Sequence, residues 1–386
     1  MEDSYMKKIK YILFALILTT GATSCSLDVT NYDSVESDNA FSTLKDVRNG
    51  MNGAYYDLGS YRFLGNYATA FGDFLAGISA GSASSGHFYA ISNFTFADTE
   101  SEIEDIWNYG FKVVNATTRT IVGGKKVLDG GNLSDDEKKE LNSYLGQCYA
   151  LKALANYYLV NLFALPYSDA NKSGLGLPLV KDEPIEAFAS IKRSTIEETY
   201  NQILSDMASA ETALSAGSSV SSAYYMGPMG LKALEARVYM SLGQYGKAEA
   251  AAKEALSLKG KGTGTAVDSD PSNETYLNMW SSTAVTDEDL FTIIKSDNDN
   301  LSANALNTLY DSYYCTIQDA VIAQFADTDI RKGLLRDNSD GAGTQPAKFD
   351  GTSTAQAVSN IPVFRKSEMS LIIAECEARI GTISEA

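Results

Sequence analysis

The chain has 386 residues, with 49 acidic against 31 basic side chains, a net charge of −18 and a single histidine. An acidic balance of this size excludes a nucleic-acid partner, whose phosphates need basic patches to neutralise them. One histidine excludes metal centres built on several, and it leaves a Ser-His-Asp arrangement only through His87.

Lys7, Lys8 and Lys10 form a positive n-region, Tyr11 to Leu18 an apolar stretch, and Thr19 to Ser24 a run of small residues ending at Cys25. This is the pattern of an export signal over residues 1–24. A permanent membrane helix needs about 20 apolar residues, more than this run supplies. Ala22, Thr23 and Ser24 before Cys25 resemble the lipobox of bacterial lipoproteins, with Ala22 where leucine is usual. Cys25 is therefore the expected lipidation site, and its lipid the expected sole hold on the membrane. Glu2 and Asp3 are out of place in an n-region and leave Met6 as a second candidate start. Cys148, Cys315 and Cys376 cannot all pair and match no zinc or redox spacing. They are expected to be small buried hydrophobes.

The body reads as mostly helical. After a polar stretch, Ser42 starts a helix with Leu44, Val47, Met51, Tyr55 and Leu58 on one face. Gly72 to Gly86, rich in Gly and Ser, reads as too loose for an element interior. Ile103, Ile106, Trp107, Gly110 and Val114 mark the next helix. Ser134 with Glu137 is a capping box. It opens a long helix that buries Leu141, Leu145, Cys148, Leu151, Ala155, Tyr158 and Leu162. Thr195 and Glu198 cap another, running through Tyr200, Ile203, Met207, Ala210 and Leu214.

Met229 to Leu258 matches much of the tetratricopeptide pattern, a helix–turn–helix of about 34 residues. Ala236, Ala248, Ala252 and Ala255 let two helices approach closely, Tyr239 fills the groove, and Gly243 ends the first helix. Lys232 and Glu235 replace the repeat's usual first-helix tryptophan and leucine. The spacing recurs at Ala374, Gly381, Ile383 and Ala386, where the chain stops partway through a second helix. Between these units, Lys259 to Asn273 and Asp337 to Gly343 read as long loops, and Asp289 to Lys295 as a short strand. The expected fold is mostly α, with tetratricopeptide-like helical repeat units and a loop-rich region containing a few short strands.

In chain order these segments resemble the SusD/RagB family of outer-membrane nutrient-binding lipoproteins of Bacteroidetes. The likeness rests on the lipobox, Asn52 to Tyr55, Trp107-Asn-Tyr109 with Asn115-Ala116, and Leu151 to Tyr158 with Leu165-Pro166. It continues through Arg193-Ser-Thr195 with Tyr200 and Asp206, Ala233 to Tyr239, and Asp327 to Arg331. Its most diagnostic part is Pro362-Val-Phe-Arg365 with Ser367, Glu368 and the Ala374 to Ala378 helix. Family members continue beyond that helix, so the resemblance implies a C-terminally truncated member. It implies residues 25–258 as an N-terminal helical part, 259–360 as a loop-rich, ligand-facing part, and 361–386 as an incomplete C-terminal repeat. It implies a surface-exposed, lipid-anchored protein of the outer membrane that passes oligosaccharide, or sometimes peptide, to a SusC-type TonB-dependent transporter.

No catalytic motif stands out. His87 lies in a glycine-serine loop, Gly260 to Thr265 fails the phosphate-loop spacing, and Asp297 to Asn300 lacks the glycine and glutamate of a calcium loop. No catalytic residue, metal or cofactor is expected. Sugars lay their apolar faces on aromatic rings, so aromatics in polar loops are the candidates. These are Phe88 and Tyr89 beside His87, Tyr276 and Trp280 after the long loop, and Tyr310, Tyr313 and Tyr314. Trp107 is expected to serve the helical framework. The competing readings are a non-catalytic tetratricopeptide scaffold for envelope assembly and, with less support, a lipoprotein hydrolase.

Overall fold

In the computed structural model, residues 40–180, 190–259, 274–281, 283–337, 341, 343–351 and 356–381 are described. The signal segment, Cys25, residues 260–273, and the Ile383 and Ala386 positions lie outside them. The fold that follows is that of Phe41–Ala386.

Capping decides where the helices begin. The Thr43 hydroxyl accepts from the Asp46 amide while Asp46 Oδ2 accepts from the Thr43 amide, so α1 (Leu44–Leu58) is capped one residue after Ser42. The same reciprocal bonds join Ser134 to Glu137 and Thr195 to Glu198, opening α4 (Asp135–Phe163) and α5 (Ile196–Ala216) as expected. The Gly72–Gly86 stretch departs from its reading as loop. Tyr67–Leu75 is a helix, α2, which buries Phe71 and Phe74 and turns Gly72 to solvent, and Ser79–Ala80 is strand β1.

The long helices pack on their neighbours in chain order. Glycines set the spacing between α3 (Ser101–Asp129) and α4. A Cβ on Gly110 would stand 2.7 Å from Leu159, and one on Gly124 2.6 Å from Leu145. Buried Thr117, Thr118 and Thr120 of α3 return their hydroxyls to the carbonyls of Val113, Val114 and Ala116 at 2.7–2.9 Å, so no donor is stranded. Between Ser143 and Asn156, α4 is buried almost all round, the pattern of a central helix rather than a surface one. Its one charge there, Lys152, meets Asp206 of α5 at 3.7 Å with both side chains under 5 % exposed.

Helices α6 (Pro228–Ser241) and α7 (Tyr245–Lys259) form the expected hairpin. Gly243 turns it at φ +66°, and Ala236, Ala248, Ala252 and Ala255 are fully buried. Helix α8 (Lys366–Ile380) packs on α7 and ends at Gly381 with φ +92°. Ala374, matched in spacing to Ala236, is exposed rather than buried. Cys148, Cys315 and Cys376 are free and buried, as expected.

The strands among the described residues form four antiparallel pairs. β1 pairs with β5 (Thr316–Ile317), and β2 (Leu175–Pro178) with β3 (Arg193–Thr195). β4 (Asp289–Ile293) pairs with β8 (Ile361–Arg365), and β6 (Leu335–Asp337) with β7 (Thr344–Pro346). The expected strand at Asp289 ends at Ile293 rather than Lys295. Every residue of β4 is buried, and its pairing carries β8 against the helical array. No helix among the described residues is long and apolar enough to cross a membrane.

Removing one partner of a buried ion pair strands the other charge, which costs roughly 3–5 kcal/mol, whereas an apolar pair of similar volume is close to neutral. Urea unfolding of Asp206→Ala should therefore show a loss of about 3 kcal/mol or more. The double variant Lys152→Met/Asp206→Leu should recover most of it.

Candidate ligand-binding cavity

A cavity of about 630 Å³ opens where the helical array meets the loop-rich part, within the range of small-ligand sites. Tyr158 of α4 and Arg237 of α6 line one side, and β8 and α8 supply Val363, Arg365 and Glu368. Ala68, Thr69 and Asp73 of α2 line another, beside Ser79 of β1 and Ile317 of β5. Phe325, Arg331 and Leu334 also line it, with Lys348 and Phe349 after β7.

Arg237 holds this junction. Its guanidinium donates two bonds to the Glu368 carboxylate, from Nε and from Nη2 (2.7 Å). Nη1 donates to the Tyr158 hydroxyl at 3.1 Å, Nη2 also donates to the Val363 carbonyl at 2.5 Å, and the group lies 4.3 Å over the Phe364 ring. A planar five-donor fork can serve carboxylate, phenol and carbonyl together.

Trp280 lies at the centre of the aromatic wall. Tyr276 and Phe349 meet it edge-on with centroids 6.3 and 5.6 Å away, while Lys348 Nζ and the Arg365 guanidinium lie over its ring at 4.5 and 4.9 Å. Phe349 has φ +65°, a left-handed conformation that costs a side-chain-bearing residue about 1–2 kcal/mol, and this strained residue stands against the tryptophan. Burial, with Arg365 and Arg331 nearby and only partly offset by Asp73, brings the Lys348 ammonium down to about 8.

The sequence candidates divide between two places. Tyr276, Trp280 and Tyr310 line the cavity, although each sits in a short helical turn and is nearly buried, not in an open loop. Tyr310 stacks on Phe74 with centroids 6.1 Å apart. His87 and Tyr313 lie outside that lining and stack on each other at 4.0 Å. His87 follows β1 and Tyr313 precedes β5 in the chain, and that strand pair lines the cavity through Ser79 and Ile317. Tyr89 is exposed and Tyr314 half-buried with φ +59°, and neither lines the cavity. Phe88 is core: it is 1 % exposed and stacks on Phe74 at 4.3 Å. Trp107 packs between Phe111 and Phe163, the framework role expected.

Sequence reasoning passed over Arg331, Lys348, Phe349 and the site role of Arg365. Arg365 and Arg331 close two of the segments that carry the family resemblance, which could have drawn notice. Lys348 and Phe349 carry no local signal, because only the fold brings them to Trp280. A second cavity, about 710 Å³, lies at the starts of α1 and α4, where Thr43 and Glu137 are already engaged in capping. No group of three or more His, Cys, Asp or Glu among the described residues is placed to hold a metal.

A family model described as SusD-like, starch-binding and associating with the outer membrane, matches residues 27–240. Among solved structures, a SusD superfamily protein from Bacteroides thetaiotaomicron is 22 % identical with a TM-score of 0.76 over 89 % of this chain and 78 % of that one. A SusD superfamily protein from Bacteroides vulgatus is 25 % identical with a TM-score of 0.74, over 88 % and 77 %. A SusD-like carbohydrate binding protein from Bacteroides vulgatus is 16 % identical with a TM-score of 0.70, over 88 % and 72 %. No curated protein sequence matches the chain.

Trp107 and Trp280 are the two tryptophans, so a Trp107→Phe chain reports on Trp280 alone. Its emission should titrate with a midpoint at about 8 as Lys348 loses its proton and its place as a cation over the indole. The added substitution Lys348→Met should abolish that transition.

Proposed function

We propose that this chain, which belongs to the SusD-like family of non-catalytic binding proteins, captures oligosaccharide in the Trp280 cavity at the cell surface. Its cargo then passes to a SusC-type TonB-dependent transporter. Lipidated Cys25 keeps it at the outer membrane, so a strongly acidic body stays beside its transporter without touching the anionic surface directly. The observation that carries this reading is the cavity itself, which joins aromatic surface to side chains that reach sugar oxygens. Phe325, Phe349 and Tyr310 supply apolar area, and Arg331, Arg365 and Lys348 supply donors. A scaffold that only assembles envelope proteins has no use for such a cavity.

The cavity supports the following assignment of site residues. Tyr276, Trp280 and Tyr310 form the wall of the capture site. His87 and Tyr313, which stack on each other next to β1 and β5 in the chain, make a further contact for a longer chain of sugars, together with Tyr89 and Tyr314.

Affinity electrophoresis of the detergent-solubilised protein against a panel of soluble polysaccharides tests the reading, with product release followed in parallel. Retardation by at least one glycan without cleavage is expected. Phe325→Ala should weaken it roughly tenfold, the effect of losing one stacking side chain and its buried area. His87→Ala should weaken it less. Absence of retardation by any glycan favours the scaffold, and released product favours the hydrolase.

A further inference from the structure

The cavity's charge is opposite to that of the chain around it. Arg237, Arg331, Lys348 and Arg365 line it against Asp73 and Glu368, in a protein of net charge −18. Two of these cations are already held: Arg237 by Glu368, and Arg331 by Asp329 at 2.6 Å. Arg365 is held only loosely, its Nη1 3.9 Å from the buried Glu288 carboxylate, and among the described residues Lys348 has no carboxylate within ion-pair distance. Both nonetheless lie over the same indole ring. Two like charges gathered at one partly dry site repel each other, and a single cation would satisfy the ring.

The hydrogen-bonding inventory is equally one-sided. Ammonium, guanidinium and indole N–H groups donate and do not accept. Trp280 Nε1 is buried and makes no hydrogen bond of normal length among the described residues, although it favours the Tyr276 phenolate from further off. A neutral sugar presents hydroxyls that donate as well as accept, and it leaves Lys348 without a counter-charge beside a loosely paired Arg365. A carboxylate or sulfate group accepts only and brings the missing charge, in a shape that matches a guanidinium fork.

We infer that the cavity selects an acidic saccharide, its anionic substituent seated between Lys348 and Arg365 beside Trp280. This rests on the capture reading above and adds the chemical class of its cargo. The surrounding negative charge then works as a filter: anions are repelled from the body and accepted at one place. Arg365, Arg331 and Asp73 are the charged groups around Lys348, and with them its ammonium titrates at about 8. The preference for acidic sugars therefore falls as pH rises through that value.

Matched pairs test this on the full chain in detergent. Oligogalacturonate is compared with its methyl ester, and sulfated with desulfated dextran oligosaccharides, by isothermal titration at pH 7 and pH 9. At pH 7 the acidic member of at least one pair should bind roughly tenfold tighter or better, the usual worth of a charged hydrogen bond. Whichever pair responds tells carboxylate from sulfate. The advantage should shrink at pH 9 and in Lys348→Met, and it should survive in Lys348→Arg at pH 9. Urea midpoints of both variants establish that they are folded. Equal binding of both members of every pair overturns the acidic class while leaving capture intact. Binding of no member overturns capture as well.

Discussion

The Arg237 guanidinium joins four segments that are far apart in the chain: α4 through Tyr158, α6 through its own backbone, β8 through the Val363 carbonyl and Phe364 ring, and α8 through Glu368. The rest of the site depends on this junction. β8 carries Arg365 into the cavity, and β8 in turn is held by β4, which is buried along its whole length. Lysine could not replace this arginine, because a point charge cannot serve a carboxylate, a carbonyl and a phenol in one plane. The scaffold behind it is equally specific. Alanines bring α7 onto α6, and glycines bring α4 onto α3, so the cavity wall rests on helices packed at short distance.

Much of this scaffold was legible in the sequence because its causes are local. Capping boxes lie within four residues, the alanine stripe of α7 within one helix, and the left-handed Gly243 within one turn. The misreadings arose where a local cue pointed the wrong way. Glycine and serine around Gly72 looked like loop, yet Phe71 and Phe74 bury enough area to make a helix of it. Phe88 looked like a ring in a polar loop, yet it fills the space beside Phe74 and Tyr67.

The site divides along the same line. Tyr276, Trp280 and Tyr310 were recoverable as aromatics in odd places. The cation pair over Trp280 was not, because Lys348 and Arg365 meet only once β8 has docked on β4 and the segment after β7 has folded back. That pair changes what the aromatics do. A bare indole would be a platform for a sugar face, whereas this one is covered by two cations and presents their charge to the cavity. On the proposed reading, its specificity comes from donors mounted on an aromatic wall, inside a body whose overall charge keeps most anions away.

The central claim is that the Trp280 cavity is where carbohydrate is held. A crystal structure of the full chain with a bound oligosaccharide addresses it directly. The account predicts sugar density inside the cavity, within hydrogen-bond distance of Lys348 or Arg365 and in contact with Phe325 or Phe349. Density confined to the His87–Tyr313 stack or another face, with the cavity empty, would contradict it.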